Sequence, residues 1–406
     1  MTFGQFSNDS LIERHIRPGD TDPSIWLWNA DSHYVYINPT ATIINKLFVF
    51  LPGSYGVPEA DKAINIKAAN MGYHSIGLRY PNTWSMIGQC GNSTDLDCHL
   101  KLRNEVFYGI DTYSGFNVDS VDCIKNRLIR LLKYLDYNYP AENWGQFLDV
   151  NDEPVWNKII LAGHSQGGGY GGIVGKDYEL FRIINFASND YNFTYEQPAP
   201  WYYEPHVTPT DRYYGMVHIM DGPSEFLEMM DALGVDTFAV INADTSYLPY
   251  NYAKILITSE IPATGTNWVD YHNSVAVDNS IPVDSLGNFK FDPVWEYLLS
   301  VDSIMTSNDN DIYNAYSYLS IFPNPVNNES KVVFTIRETR KIKFSIYNYL
   351  GVLLDNISIS SDFKTGTYTF NLKNIVKNLE KYPSGLYFLS LTSSYTQETQ
   401  SFIIKK

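Results

Sequence analysis

The sequence predicts an α/β protein with a doubly wound, mostly parallel sheet, followed by a small all-β sandwich. Three observations predict this. Short apolar runs alternate with helical patterns up to residue 301, and beyond residue 317 the hydrophobic period changes to two. Between them, residues 302–317 (DSIMTSNDNDIYNAYS) lose periodicity and turn polar, which marks a linker. Alternating strands and helices call for a parallel sheet covered on both faces. The expected organisation is therefore 1–301, a linker 302–317, and 318–406.

The elements follow in order. SIWLWNADSHYVYIN (24–38) reads as two strands around an Asn-Ala-Asp turn, and KLFVFLPGSYG (46–56) as an apolar strand entering a Gly/Pro loop. ADKAINIKAANMGY reads as a helix with Gly72 as its C-cap, and YHSIGLRYPN (73–82) as the next strand. VDSVDCIKNRLIRLLKYLDYNY carries apolar residues at three- and four-residue spacing, the mark of an amphipathic helix. NKIILAGHSQGGGYGG (157–172) is a strand and a glycine-rich turn. FRIINFASND, RYYGMVHIMDG and YAKILITSE supply three more strands, with SEFLEMMDALG helical between the last two. Past the linker, VVFTI, KFSIYN, TYTFNL, GLYFLSL and SFIIKK alternate as strands between turns such as NPVNNES and YPSG.

Composition excludes several classes. Hydrophobic residues make up 44% of the 406 and charged residues 18%, which rules out a disordered chain, a collagen-like repeat and a coiled coil. The net charge of −16 divides unevenly: residues 1–317 hold 18 Lys+Arg against 39 Asp+Glu, and residues 318–406 hold 11 against 6. So acidic a main part repels phosphate backbones, and no nucleic-acid partner is expected. No apolar run reaches about 18 residues, so no transmembrane segment is expected. The opening MTFGQFSNDS lacks the basic and apolar regions of a signal peptide, which leaves an intracellular protein or a processed or trimmed chain. Cys90 and Cys98, in CGNSTDLDC, are either a disulfide closing a polar loop or two free thiols; Cys123 reads as packing.

The sequence carries no HExxH, no paired CxxC and no EF-hand loop, so no metal is expected, and SNDNDIYN reads as solvated linker. No glycine-rich loop bears the lysine of a phosphate-binding loop, and no cofactor is expected. What carries chemistry is Gly163-His164-Ser165-Gln166-Gly167, a G-x-S-x-G between a strand and a helix. A nucleophilic serine must stand clear of the sheet on a sharp turn, and only glycine lets the neighbouring backbones approach so closely. Gly167, Gly169 and Gly172 also form a G-x-G-x-x-G, with Asp190 downstream. Its first glycine lies five residues past Ala162 and several βα units precede it, so a dinucleotide fingerprint is the weaker reading.

With these motifs in place, residues 24–300 resemble an α/β-hydrolase: the loop LPGSYG, the elbow GHSQG, then an acid and a histidine in that chain order. The resemblance implies a catalytic acid after the strand YYGMVHIM, at Asp221, and a histidine past the last strand, at His272 in NWVDYHNSVAVD. Ser165 is then the nucleophile, His272 the base and Asp221 the acid that orients it. The resemblance also implies an oxyanion hole from the amides of Gln166 and of Ser54 or Tyr55. Glu225 and Asp190 are the alternative acids, and Asp221 has a rival role as a helix cap. His218 and His164 read as core, and His206 as lining without a partner.

Residues 191–212 form a Pro- and aromatic-rich connection at the carboxyl edge of the sheet. Trp201, Tyr202 and Tyr203, with Trp84 and Trp268, are expected to rim the site for a neutral acyl or aromatic group, or else merely to pack the loop. The last 90 or so residues resemble the C-terminal sorting domain of the type IX secretion system of Bacteroidetes. The matching stretches are YLSIFPNPVNN, FSIYNYLGVLL, SGLYFLSL and the final Lys405-Lys406. This resemblance implies export through the type IX machinery, with removal of the tail and surface attachment or release. Because it implies export across the inner membrane as well, the missing signal peptide is read as the mark of a processed or trimmed chain, and the Cys90–Cys98 disulfide is favoured. The resulting expectation is a secreted serine hydrolase acting on a small-molecule or polymeric ester. A peptidase or amidase on the same scaffold and a non-catalytic surface-displayed binding module are the alternatives.

Overall fold

The structure, a computed structural model, describes residues 10–235, 240–300, 318–336, 340–348, 352–363, 366–377, 379–392 and 397–406. The chain divides into two compact units, Met1–Ser300 and Val301–Lys406. The segment expected to be a linker, 302–317, lies outside the described residues.

Among the described residues the first unit is built on a sheet of nine strands. They are β1 (Ile12–Ile16), β2 (His33–Ile37), β3 (Leu47–Leu51), β4 (His74–Gly77), β5 (Ile159–His164), β6 (Arg182–Phe186), β9 (Tyr213–His218), β10 (Val240–Asn242) and β11 (Ile255–Thr258); β7 (Tyr191–Asn192) and β8 (Gln197–Pro198) form a separate two-residue ladder. The sheet order is β1-β2-β4-β3-β5-β6-β9-β11-β10. Among its described pairs, β1–β2 and β2–β4 are antiparallel and the rest parallel. Strands β3, β5 and β6 are buried along their whole length, as a parallel sheet with both faces covered requires.

The covering helices include α1 (Pro18–Thr21), α2 (Lys62–Asn70), α3 (Met86–Cys90), α4 (Cys98–Tyr108), α5 (Ile124–Asn138), α6 (Tyr170–Asp177), α7 (Pro223–Ala232), α8 (Trp268–Asn273) and α9 (Asp292–Leu299). Helix α5 lays Leu128, Leu131, Leu132 and Leu135 on one buried face, the stripe its spacing predicts. After α2, Gly72 turns the chain at φ +96°, where an added Cβ would lie 1.9 Å from Thr42 O. Cys90 and Cys98 form a disulfide between the end of α3 and the start of α4, and Cys123 is a buried free thiol at the N-terminus of α5.

Two readings of the first unit need correction. Residues 24–31 form no strand: Leu27 N donates to Asp122 Oδ1 at 3.0 Å and Leu27 O accepts from Arg127 Nη2, so side chains take the groups that a sheet ladder would use. The partner of β2 is instead β1, which is polar enough at Glu13, Arg14 and His15 to sit at an edge. Helix α4 and strand β10 were also unexpected.

Two features hold β5 and its following turn. Gly163 and Gly167 are sterically obligatory, since a Cβ on Gly163 would fall 2.5 Å from Gly167 C, and one on Gly167 only 2.0 Å from Leu51 O. Arg103 of α4 is fully buried beside them, donating to Asp190 at 2.5 and 2.6 Å and to Gln166 O at 3.0 Å. Burial pushes the Asp190 carboxyl upward, but the guanidinium overrides it and holds the pKa below the usual range.

In the second unit, β12 (Tyr318–Phe322), β13 (Lys331–Ile336) and β16 (Gly366–Asn371) make one sheet, and β15 (Leu353–Phe363), β14 (Arg340–Asn348), β17 (Gly385–Thr392) and β18 (Gln397–Ile404) the other. The described strand pairs are antiparallel, with an isolated parallel bridge between Val326 and Ile404. Val332 and Phe334 from one sheet share a core with Phe344, Ile346, Leu389 and Phe402 from the other. Strands β12 and β15 add to the five that periodicity predicted.

Two predictions follow from this packing. Arg103→Met leaves the Asp190 charge buried and unpaired, and should lower the unfolding free energy in urea by about 3–5 kcal/mol, whereas Arg103→Met with Asp190→Leu should recover most of that loss. The second concerns His164, whose pKa is held down to about 3, first by burial and second by the neighbouring His272. The unfolded chain takes up that proton as pH falls below about 6.5, while the folded chain does not, so this contribution is complete above pH 6.5 and lost towards pH 3. Between pH 6.5 and 5, stability of His164→Gln should therefore fall less steeply than that of the parent, by up to about 1.4 kcal/mol per pH unit.

Candidate active site

Strand β5 ends at His164, and the next residue, Ser165, adopts φ +51°. Such a left-handed conformation costs a non-glycine residue about 1–3 kcal/mol and persists only where the surroundings enforce it. Here the two glycines and the Arg103–Gln166 contact enforce it. Ser165 lines a cleft of about 810 Å³ together with Ser54, Tyr55, Gln166, Asp221, Trp268 and His272. These residues come from the turns after β3, β5 and β9 and from α8, all at the carboxyl edge of the parallel strands.

His272 Nδ1 lies 2.8 Å from Asp221 Oδ2. A carboxylate accepts, so Nδ1 carries the proton and Nε2 of the neutral ring is left as an acceptor. Trp268 stacks on the His272 ring at 5.2 Å and 15°. His164 Nε2 donates to His272 O at 2.9 Å, tying the histidine backbone to the end of β5.

The turn that presents Asp221 is built on His218, which the sequence marked only as core. Its Nδ1 accepts from Met220 N at 3.0 Å, its Nε2 donates to Glu260 O at 3.0 Å, and its carbonyl accepts from Asp221 N at 3.0 Å. Tyr271 of α8 stacks on the same ring at 4.6 Å, linking the acid turn to the histidine helix. Of the alternative acids, Asp190 is committed to Arg103, and Glu225 lines the cleft without bonding His272.

The loop after β3 is organised by Asn82, which sequence reasoning missed. Its Nδ2 donates to Gly53 O at 2.7 Å and Gly56 O at 2.9 Å, and its carbonyl accepts from Tyr55 N at 2.8 Å. Tyr55 is thereby corrected as an oxyanion donor: its amide is already spent. The Ser54 amide donates to no atom among the described residues, and Ser54 Oγ donates to Gln166 Oε1 at 2.8 Å. Gln166 N lies in the first turn after Ser165, where an amide has no intrahelical acceptor.

The expected rim is partly corrected. Trp268 does line the cleft and is 58% exposed. Trp84 is only 8% exposed, stacked on Phe116 at 3.9 Å. Trp201 and Tyr202 are each 1% exposed; the Trp201 ring packs against Gly172, where an added Cβ would meet it at 2.8 Å. The connection 191–212 therefore folds these two rings into the core rather than over the cleft. His206 bonds Tyr213 OH at 2.8 Å, away from the cleft. The apolar cleft wall is supplied instead by Tyr55, Met86, Ile87, Phe193, Trp268 and Val269.

Among the described residues no cluster of side chains is arranged to hold a metal ion. The nucleophile-type serine, a histidine of fixed tautomer and two candidate backbone donors are suited to acyl transfer.

Comparison with known proteins bears chiefly on the second unit. Residues 320–405 match the family described as a secretion system C-terminal sorting domain. No curated protein matches the chain. Similar solved structures include an immunoglobulin-like β-sandwich protein of the DUF3244 family from Bacteroides vulgatus, 14% identical over 21% of this chain and 83% of that one, TM-score 0.16. Another is PorZ, a surface component of the type IX secretion system of Porphyromonas gingivalis, 17% identical over 22% of this chain and 11% of that one, TM-score 0.16. A third, described as a dienelactone hydrolase from Klebsiella pneumoniae, is 12% identical over 62% of this chain and 85% of that one, TM-score 0.30. These TM-scores are too low to establish a shared fold. The sorting domain marks the protein for type IX export to the cell surface or the extracellular space, and no helix among the described residues is long and apolar enough to cross a membrane.

Proposed function

We propose that the exported protein is a serine hydrolase of the α/β-hydrolase type that cleaves carboxylic esters, with Ser165 as nucleophile, His272 as general base and acid, and Asp221 as the residue that orients it. The observation that carries this reading is the 2.8 Å His272–Asp221 bond in the same cleft as a serine held at φ +51°.

The chemistry runs in two halves. Ser165 Oγ adds to the ester carbonyl while its proton passes to His272 Nε2, and the carbonyl oxygen becomes an oxyanion. The Gln166 and Ser54 amides are the donors suited to receive that charge, and each such donor contributes about 3–4 kcal/mol to the transition state. Collapse expels the alcohol, which takes the proton from His272 and leaves an acyl-serine. Water then attacks the acyl carbon, giving its proton to His272 Nε2, and Ser165 recovers that proton as the acid departs. Asp221 stays ionised throughout and stabilises the imidazolium. Trp268, stacked on the imidazole, limits its rotation and shields it from water.

The test is turnover of a p-nitrophenyl ester of a short acid. Ser165→Ala and His272→Ala should each lower kcat by about 10⁴-fold or more, and Asp221→Asn by about 10²–10⁴-fold, with KM little changed. A rate unaffected by Ser165→Ala would overturn the proposal. Cleavage of the matching anilide at a comparable rate would move the reading from esterase to amidase.

A further inference from the structure

The cleft contains a carboxyl group for which ester cleavage has no use. Asp61 stands at the N-cap position of α2, where an aspartate ordinarily accepts from the first-turn amides. It makes no such bond. Ala63 N donates instead to both carboxylate oxygens of Asp278, at 3.1 and 3.2 Å, and Asp278 N donates to Ala60 O at 2.9 Å. Asp278 has taken over the cap, and the Asp61 side chain is released from it. Asp61 lines the cleft with Ser165 and His272, is 2% exposed, and its Oδ1 has no hydrogen-bond partner among the described residues. A buried carboxyl without a partner is costly to keep, so its presence in the wall of a cleft calls for a partner that arrives with the ligand.

The sign of that partner follows from the surroundings. Among the described residues three carboxyl groups line the cleft, at Asp61, Asp221 and Glu225, and no lysine or arginine lines it. Asp221 is matched by His272, while Asp61 and Glu225 form no ion pair among the described residues. Burial, and then the neighbouring Asp278, push the Asp61 carboxyl well above the usual carboxylate range; burial pushes Asp278 up to about 7. Two acids are crowded together, the nearby Lys62 ammonium is paired with Glu13, and a positive group in the cleft would relieve Asp61. Tyr55 and Trp268, 67% and 58% exposed on the cleft, offer ring faces suited to the same charge. The 39 acidic residues against 18 basic ones in residues 1–317 give this part of the chain a net negative charge, which favours a cationic ligand.

We propose that the cleft selects substrates bearing a primary ammonium group, and that Asp61 is the residue that binds it. Resting on the hydrolase reading, this narrows the substrate class to esters whose acyl or alcohol part is cationic, in place of the neutral group the aromatic rim suggested. Binding draws the ammonium against the Asp61 carboxyl while the ester carbonyl meets Ser165.

Calorimetric binding of phenethylammonium and of 2-phenylethanol to the full chain separates this claim from catalysis, because neither probe is an ester. The ammonium should bind at least about tenfold more tightly than the alcohol, and Asp61→Asn should bring the two within about twofold. Asp61→Ser provides a second variant should the first not fold. Equal affinities in the parent protein, or a preference that survives in the folded variants, overturns the proposal. An ammonium preference in a protein that cleaves no ester would overturn the hydrolase reading and leave Asp61 as a cation site.

Discussion

The candidate site depends on one steric constraint: the chain leaving β5 must turn back against the chain leaving β3 with almost no room between them. At Gly167 even a methyl group would overlap Leu51 O, and at Gly163 it would overlap Gly167 itself. That crowding forces Ser165 into a left-handed conformation and lifts it off the sheet edge. It also brings the Ser54 and Gln166 side chains within hydrogen-bond reach of each other. The buried Arg103 secures the arrangement from beneath by binding both the Gln166 carbonyl and Asp190. A buried ion pair contributes little to net stability, but breaking one partner is expensive. The pair therefore acts mainly to fix the position of the turn.

Histidines form the second layer of support. His164 holds the His272 backbone, and His218 holds the Asp221 turn while stacking under Tyr271. Burial depresses the pKa of both supporting rings, so they remain neutral and serve as hydrogen-bonding struts. Carboxyl groups line the cleft at Asp61, Asp221 and Glu225, and among the described residues no lysine or arginine lines it. That electrostatic one-sidedness is the basis for assigning it a cationic ligand.

Much of this was legible in the sequence, and the losses have identifiable causes. The central parallel strands were visible because both of their faces are buried and their apolar runs are unbroken, as in LFVFL and IILAGH. The elbow was visible because its sterics demand glycine at fixed spacing. Strand β1 was not, since IERHI pairs on one side only and carries polar residues. The aromatic stretch at 201–202 was misplaced because a ring that packs under Gly172 and one that rims a cleft look alike in sequence; only the three-dimensional contact distinguishes them. Asn82 and Asp61 left no local signal at all. Each owes its role to a partner distant in sequence, Gly53 for one and Asp278 for the other.

The central claim is that Ser165 is an activated nucleophile, and the most direct measurement requires no knowledge of the substrate. The folded protein is treated with a fluorophosphonate, and the modified residue is located by peptide mass mapping. A single adduct on Ser165, formed rapidly in the parent and slowly when His272 is replaced by alanine, is the predicted result. Absence of an adduct, or an adduct on another serine while Ser165 stays unmodified, would contradict the account.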